Sequence, residues 1–113
     1  MIEYTVKVND YGTRWWYLNG KLHRVDGPAV ECADGSSSWW LNGNLHRVDG
    51  PAVEWHTGSR SWYLNGKCHR EDGPAIEDAD GTRCWYLNGE EYTEEEFNKK
   101  TFAETIFHIG KRK

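Results

Sequence analysis

Aliphatic side chains are scarce in this chain: Leu, Ile, Val and Phe together fill only 19 of 113 positions. That is too little for the layered aliphatic interior of an enzyme-sized domain. The three cysteines, Cys32, Cys68 and Cys84, are odd in number and show no Cys-x-x-Cys spacing, which argues against a disulfide framework or a zinc site. No apolar stretch is longer than Trp15–Leu18, far short of the roughly 20 residues that cross a bilayer. Met1–Tyr4 carries no basic patch ahead of an apolar run, so neither an export signal nor a membrane span is expected, and the chain reads as cytoplasmic. Neither sign of charge dominates: 14 Lys and Arg against 18 Asp and Glu leave a net charge of −4, which does not suit a general nucleic-acid coat. There is no glycine-rich phosphate loop, and no nucleophile stands beside a base at a unique position. The sequence thus points away from an enzyme and calls for no cofactor and no metal.

What the chain has instead is aromatic residues and repetition. Seven Trp and six Tyr replace the missing aliphatic mass, each able to bury roughly 150–250 Å². Leu-Asn-Gly recurs at Leu18, Leu41, Leu64 and Leu87, always at the same interval. His-Arg follows at His23, His46 and His69, and Asp-Gly-Pro-Ala begins at Asp26, Asp49 and Asp72. Trp16, Trp39, Trp62 and Trp85 keep the same phase. A period of this length marks stacked supersecondary units that cannot bury their faces alone.

Each unit reads as a β-hairpin, because Asn-Gly supplies the two positive φ angles of a type I′ turn. With Asn19 and Gly20 as the loop, Leu18 faces Lys21, Tyr17 faces Leu22 and Trp16 faces His23. Alternation then puts Trp16, Leu18 and His23 on one face and Tyr17, Leu22 and Arg24 on the other. The strand breaks at Asp26-Gly27-Pro28 and resumes at Ala29-Val30-Glu31. Residues 2–8 alternate with period two and form a leading strand. The units span about 12–34, 35–57 and 58–80, with a partial fourth at 81–89. In 90–113, Thr93-Glu94-Glu95-Glu96 is a capping box, and Phe97, Phe102, Ala103, Ile106 and Phe107 recur at helical spacing. They predict a helix from about Glu94 to His108 that caps the last unit, then a basic tail, Lys111-Arg112-Lys113. The expected fold is mostly β: an elongated single-layer antiparallel hairpin-repeat sheet with a C-terminal capping helix.

Trp-Tyr-Leu-Asn-Gly-Lys-x-His-Arg-x-Asp-Gly-Pro-Ala-x-Glu resembles the MORN repeat, which has the same period, in the variant found in small proteins of bacteriophages and giant viruses. The resemblance covers about residues 12–89; Arg24, Arg47 and Arg70 stand where MORN repeats carry Gly. It implies a single-layer sheet serving as an interaction surface without catalysis.

The His-Arg-x-Asp sets read as a turn-stabilising network, since equivalent residues of successive units lie about 10 Å apart and cannot share a metal whose ligands sit at about 2 Å. An open aromatic face is then the candidate partner surface. The candidates are Trp15, Tyr17, Trp40, Trp55, Tyr63 and Tyr86, with Arg24, Arg47, Arg70 and Arg60 and the acidic Glu94 and Glu95. The expected function is protein–protein interaction, in the form of a small phage-encoded inhibitor or modulator of a host factor such as a bacterial defence complex. A second reading is a nucleotide or short nucleic-acid sponge that stacks bases on the Trp/Tyr and Arg ladder. A third is a homo-oligomer joined through sheet edges.

Overall fold

The computed structural model describes the backbone of residues 2–111 and the side chains of residues 2–102. Of the expected tail Lys111-Arg112-Lys113, Lys111 is the last residue of the helix, which runs past His108; Arg112-Lys113 and the side chains of Ala103, Ile106 and Phe107 lie outside the described residues. All four Asn-Gly pairs adopt the left-handed conformation that the type I′ turn demands, with φ of 52° at Asn19 and 79° at Gly20 in the first. Tyr17 pairs with Leu22 and Leu18 with Lys21, as the turn requires, and Trp40–Leu41 and Tyr63–Leu64 repeat that register with Asn44–Leu45 and Lys67–Cys68. The fourth hairpin does not stop at Gly89: Glu90–Tyr92 returns against Trp85–Leu87. Residues 90–92 therefore belong to the repeat array, because a type I′ turn at Asn88-Gly89 closes a strand pair.

At the far side from these tips, short strands pair in the order Thr5–Val8, Arg14–Leu18, Val30–Glu31, Ser37–Ser38, Val53–Glu54, Arg60–Ser61, Ile76–Glu77, Arg83–Leu87 and Glu90–Tyr92. All the pairs are antiparallel. The leading strand is Thr5–Val8, shorter than the expected 2–8. Tight loops join these strands at the outer margin, each with a left-handed glycine, Gly12, Gly35, Gly58 or Gly81, in the bulge that such loops require.

The hairpins also join one another. Arg24 N–H donates to the Trp40 carbonyl and Gly43 N–H to the Leu22 carbonyl, and both bonds recur one unit later between Arg47 and Tyr63 and between Gly66 and Leu45. The result is one continuous layer, 52 × 38 × 18 Å overall.

A single layer has almost no interior. Among the described residues Ala29, Ala52 and Ala75 are fully buried, no large side chain is, and the four repeat tryptophans are only half-buried. The helix, Glu94–Lys111, begins at the expected capping box: Thr93 N–H donates to Glu96 and Glu96 N–H to the Thr93 hydroxyl. It packs on the strands of the fourth unit through Phe97, 3% exposed. Phe102 belongs to the same predicted stripe but is 67% exposed. Five positions on, the helix has turned about 140° away from Phe97.

Candidate functional site

The two faces differ because of what the chain does between His23 and Ala29. Strand Arg14–Leu18 pairs with Lys21–Leu22 near the tip and with Val30–Glu31 further back, on the same side. Residues 24–28 are therefore an excursion out of the ladder. It folds over the tryptophan: the Arg24 guanidinium lies 4.0 Å from the centre of the Trp16 ring. This corrects the alternation, which placed Arg24 on the face opposite Trp16; strand parity does not survive where the chain leaves the sheet. Arg24 Nε donates to Asp26 at 3.3 Å and Nη1 to the Pro28 carbonyl at 3.1 Å.

The arrangement is copied for Arg47 over Trp39 and Arg70 over Trp62. It also explains the glycine of Asp-Gly-Pro. A side-chain carbon at Gly27 would stand 2.9 Å from the Arg24 guanidinium carbon, and at Gly50 3.0 Å from that of Arg47. The glycine is there to let the guanidinium lie flat between ring and backbone, a reason the turn alone does not reveal.

The histidines work at the tips. His23 Nδ1 accepts the backbone N–H of Asn42 at 2.9 Å, His46 that of Asn65, and His69 that of Asn88. Each imidazole holds the turn of the next unit, so its proton resides on Nε2. At the opposite margin Thr13 Oγ1 accepts the N–H of Ala33, Ser36 Oγ that of His56 and Ser59 Oγ that of Ala79. Two rows of bonds thus fasten each unit to its neighbour. Among the described residues no cluster of three His, Cys, Asp or Glu side chains forms a metal site.

On the tryptophan face, neighbouring excursions wall off grooves. One of about 550 Å³ is lined by Arg47, Val48, Trp62, Leu64, His69 and Arg70, with Asp49, Glu71 and Asp72 at its rim. A smaller one of about 380 Å³ repeats it one unit earlier, between Val25 and Val48. Beside the fourth unit, Phe97 joins Trp85 in lining the corresponding depression.

The other face is open. Register places Trp15 opposite Val30, which in turn pairs with Ser38, and Ser38 with Val53. Val53 pairs with Ser61, Ser61 with Ile76 and Ile76 with Cys84. Two positions along their strands from Trp15, Ser38, Ser61 and Cys84, and hence on the same face, stand Tyr17, Trp40, Tyr63 and Tyr86. Leu22, Leu45 and Cys68 face the first three of them. Lys7 Nζ lies 5.1 Å over the Tyr17 ring, and Trp40 Nε1 donates to Ser38 Oγ at 2.8 Å. Crowding shows in the chemistry: burial first, then neighbouring Cys84, pushes the Cys68 thiol up to about 11, and burial followed by Cys68 raises the Tyr63 hydroxyl.

The structure therefore brings together five of the candidates, Trp15, Tyr17, Trp40, Tyr63 and Tyr86. It sets Arg24, Arg47 and Arg70 on the tryptophan face with their donors engaged inside their own units. Arg60 donates to Glu77 at 2.7 Å. Trp55 is exposed in an outer-margin loop, and Glu94 and Glu95 are exposed at the helix start. Val30, Val53 and Ile76, which the sequence reading did not single out, complete the open face. Their common phase within the repeat is visible in the sequence, but the Asp-Gly-Pro excursion hides which face they occupy. Among the described residues no helix is long and apolar enough to cross a membrane. Compared with known proteins, the chain matches no family model, no curated protein and no solved structure.

Proposed function

We propose that this chain is a non-catalytic protein-binding module whose partner docks on the open aromatic face. One observation carries the reading. Trp15, Tyr17, Trp40, Tyr63 and Tyr86 run the length of the ribbon beside Val30, Val53 and Ile76, while the arginines, the excursions and Phe97 lie on the opposite side. Rigid Tyr and Trp side chains with few rotamers to freeze are what energetic centres of protein interfaces are made of. The face suits an apolar, weakly charged patch with acceptors for the tyrosine hydroxyls; Lys7 and Glu91 mark its two ends. Trp55, Arg60, Glu94 and Glu95 stand outside it and serve at most as rim contacts. The resemblance to viral repeats supports a host factor as partner, with the chain acting as its inhibitor or modulator in the cytoplasm.

The nucleotide reading is the weaker one. Arg47 and Arg70 already donate to Asp49, Pro51, Asp72 and Pro74, and the groove between them is rimmed by Asp49, Glu71 and Asp72, where a phosphate would meet carboxylates.

Site-specific photo-crosslinking tests the proposal. A benzophenone amino acid replaces Trp40 or Tyr63 on the open face, or Lys21 or Lys67 on the other, in full-length chain exposed to bacterial lysate. Adducts with one discrete protein are expected from Trp40 and Tyr63 and not from the lysines. Adducts from the lysine positions alone, or from no position, overturn it. Nucleotides titrated to millimolar concentration leave the tryptophan fluorescence unchanged if the reading holds.

A further inference from the structure

We infer that the outer edge of the leading strand pairs with the same edge of a second copy, joining two ribbons into one longer sheet. The inference rests on the edge and not on the docking face, which stays uncovered in such a dimer.

Asn9 N–H donates to the Thr13 carbonyl across the first strand pair. Alternation along an antiparallel ladder then turns the backbone groups of Thr5 and Lys7 inward, toward Arg14–Leu18, and those of Tyr4, Val6 and Val8 outward. Thr5–Val8 ends the sheet order, so among the described residues no strand meets these outward groups. The side chains beside them are apolar and exposed: Ile2 47%, Val6 46% and Val8 58%. An edge of this kind is a template for another strand.

The other end of the ribbon is different. Glu90–Tyr92 carries two acids and is followed at once by the helix, which packs on it. Head-to-tail growth is therefore closed off. Two leading strands meeting about a two-fold axis give a finite pair.

Charge selects the register. Centring the axis on Lys7 sets Lys7 against Lys7 of the second copy. Centring it on Thr5 sets Glu3 against Lys7 of the second copy twice over, with Ile2 opposite Val8 and Tyr4 opposite Val6 of the second copy. The outward groups of Tyr4 and Val6 then exchange hydrogen bonds, and the exposed apolar side chains share one face. The Lys7 ammonium, 5.1 Å over the ring of Tyr17 in the single chain, swings out to the edge to meet Glu3 of the second copy.

The contact is short, so association is expected at about 10–100 µM, in the range of small interfaces. Sedimentation equilibrium on the full chain, up to about 500 µM, reads it. Val6→Pro removes only an outward N–H, as edge strands tolerate; it is expected to abolish the dimer while far-UV and near-UV circular dichroism stay those of the parent. Glu3→Lys places two like pairs across the axis and weakens the dimer about tenfold. Combining it with Lys7→Glu restores the opposite pairs and the affinity. A parent chain monomeric at the highest concentration overturns the inference. So does a dimer that Val6→Pro leaves intact, and so does a double variant no tighter than Glu3→Lys alone.

Discussion

Asn19, Asn42, Asn65 and Asn88 hold φ angles between 50° and 52°, a region that costs most side chains energy but that Asn and Gly enter readily. The same residues, from Asn42 onward, donate their amide to the histidine of the preceding unit. Side-chain choice and inter-unit bond meet at one position. Asn65→Val is expected to destabilise the chain by about 1–2 kcal/mol in urea unfolding, because a β-branched residue resists positive φ. Asn65→Gly keeps both the conformation and the amide and stays within about 0.5 kcal/mol of the parent. Equal losses for the two would contradict the account of the turn.

Two-residue turns are strictly local, and for that reason the sequence discloses them without help: the register of Tyr17 with Leu22 follows from Asn19 and Gly20 alone. The position of Arg24 does not follow from anything local. Its place over Trp16 depends on where the excursion lands, and its fit depends on the absent side chain of Gly27. A glycine read as a flexible turn residue is in fact a packing surface. The histidine's partner is similarly distant: His23 meets the amide of Asn42, in another unit.

At the scale of the element, each strand carries two unlike surfaces, and the open one is apolar enough to alter the chemistry of its thiols. Cys68 is raised from its ordinary 9.0 to about 11, chiefly by burial, and burial also raises Cys84, Tyr63 and Tyr86. For a group whose pKa rises on folding, the folded state holds the proton more tightly. The associated stability is present below the unfolded value and is lost as pH climbs through the folded one. Urea midpoints are therefore expected to fall between pH 9 and pH 11, and Cys68→Ala to flatten part of that slope. At pH 8 the Cys68 thiolate is scarce, so alkylation by iodoacetamide in the folded chain runs roughly 100-fold slower than for a free thiol. A flat stability profile, or alkylation at the free-thiol rate, would count against a crowded, water-poor face.

The helix is an element whose start was legible and whose packing was only half so. The capping box at Thr93–Glu96 is a short local signal and forms as the sequence predicts. The apolar stripe is longer-range; Phe97 meets the sheet and Phe102 does not, since five positions on the helix has turned about 140° away from it.

At the scale of the molecule, the described residues form no common interior to which every unit contributes. Stability passes from neighbour to neighbour, through the histidine row at the tips, the Ser/Thr row at the outer margin and the strand pairing between. Such a chain behaves as a one-dimensional array. It can present a long face matched to nothing inside the chain itself, and that is the property a docking surface needs. The constant period announces this architecture, because each copy repeats the same unfinished edge. Which face stays open is not announced, since it is decided by the short Asp-Gly-Pro excursions that leave the sheet.

The account stands on each unit being completed by the one before it, and amide hydrogen exchange followed by NMR reads this position by position. The amides of Asn42, Asn65 and Asn88 each meet an imidazole, whereas Asn19, at the head of the array, has no histidine before it. Protection of about tenfold or more is expected at the first three and near-intrinsic exchange at Asn19. Equal exchange at all four would contradict it.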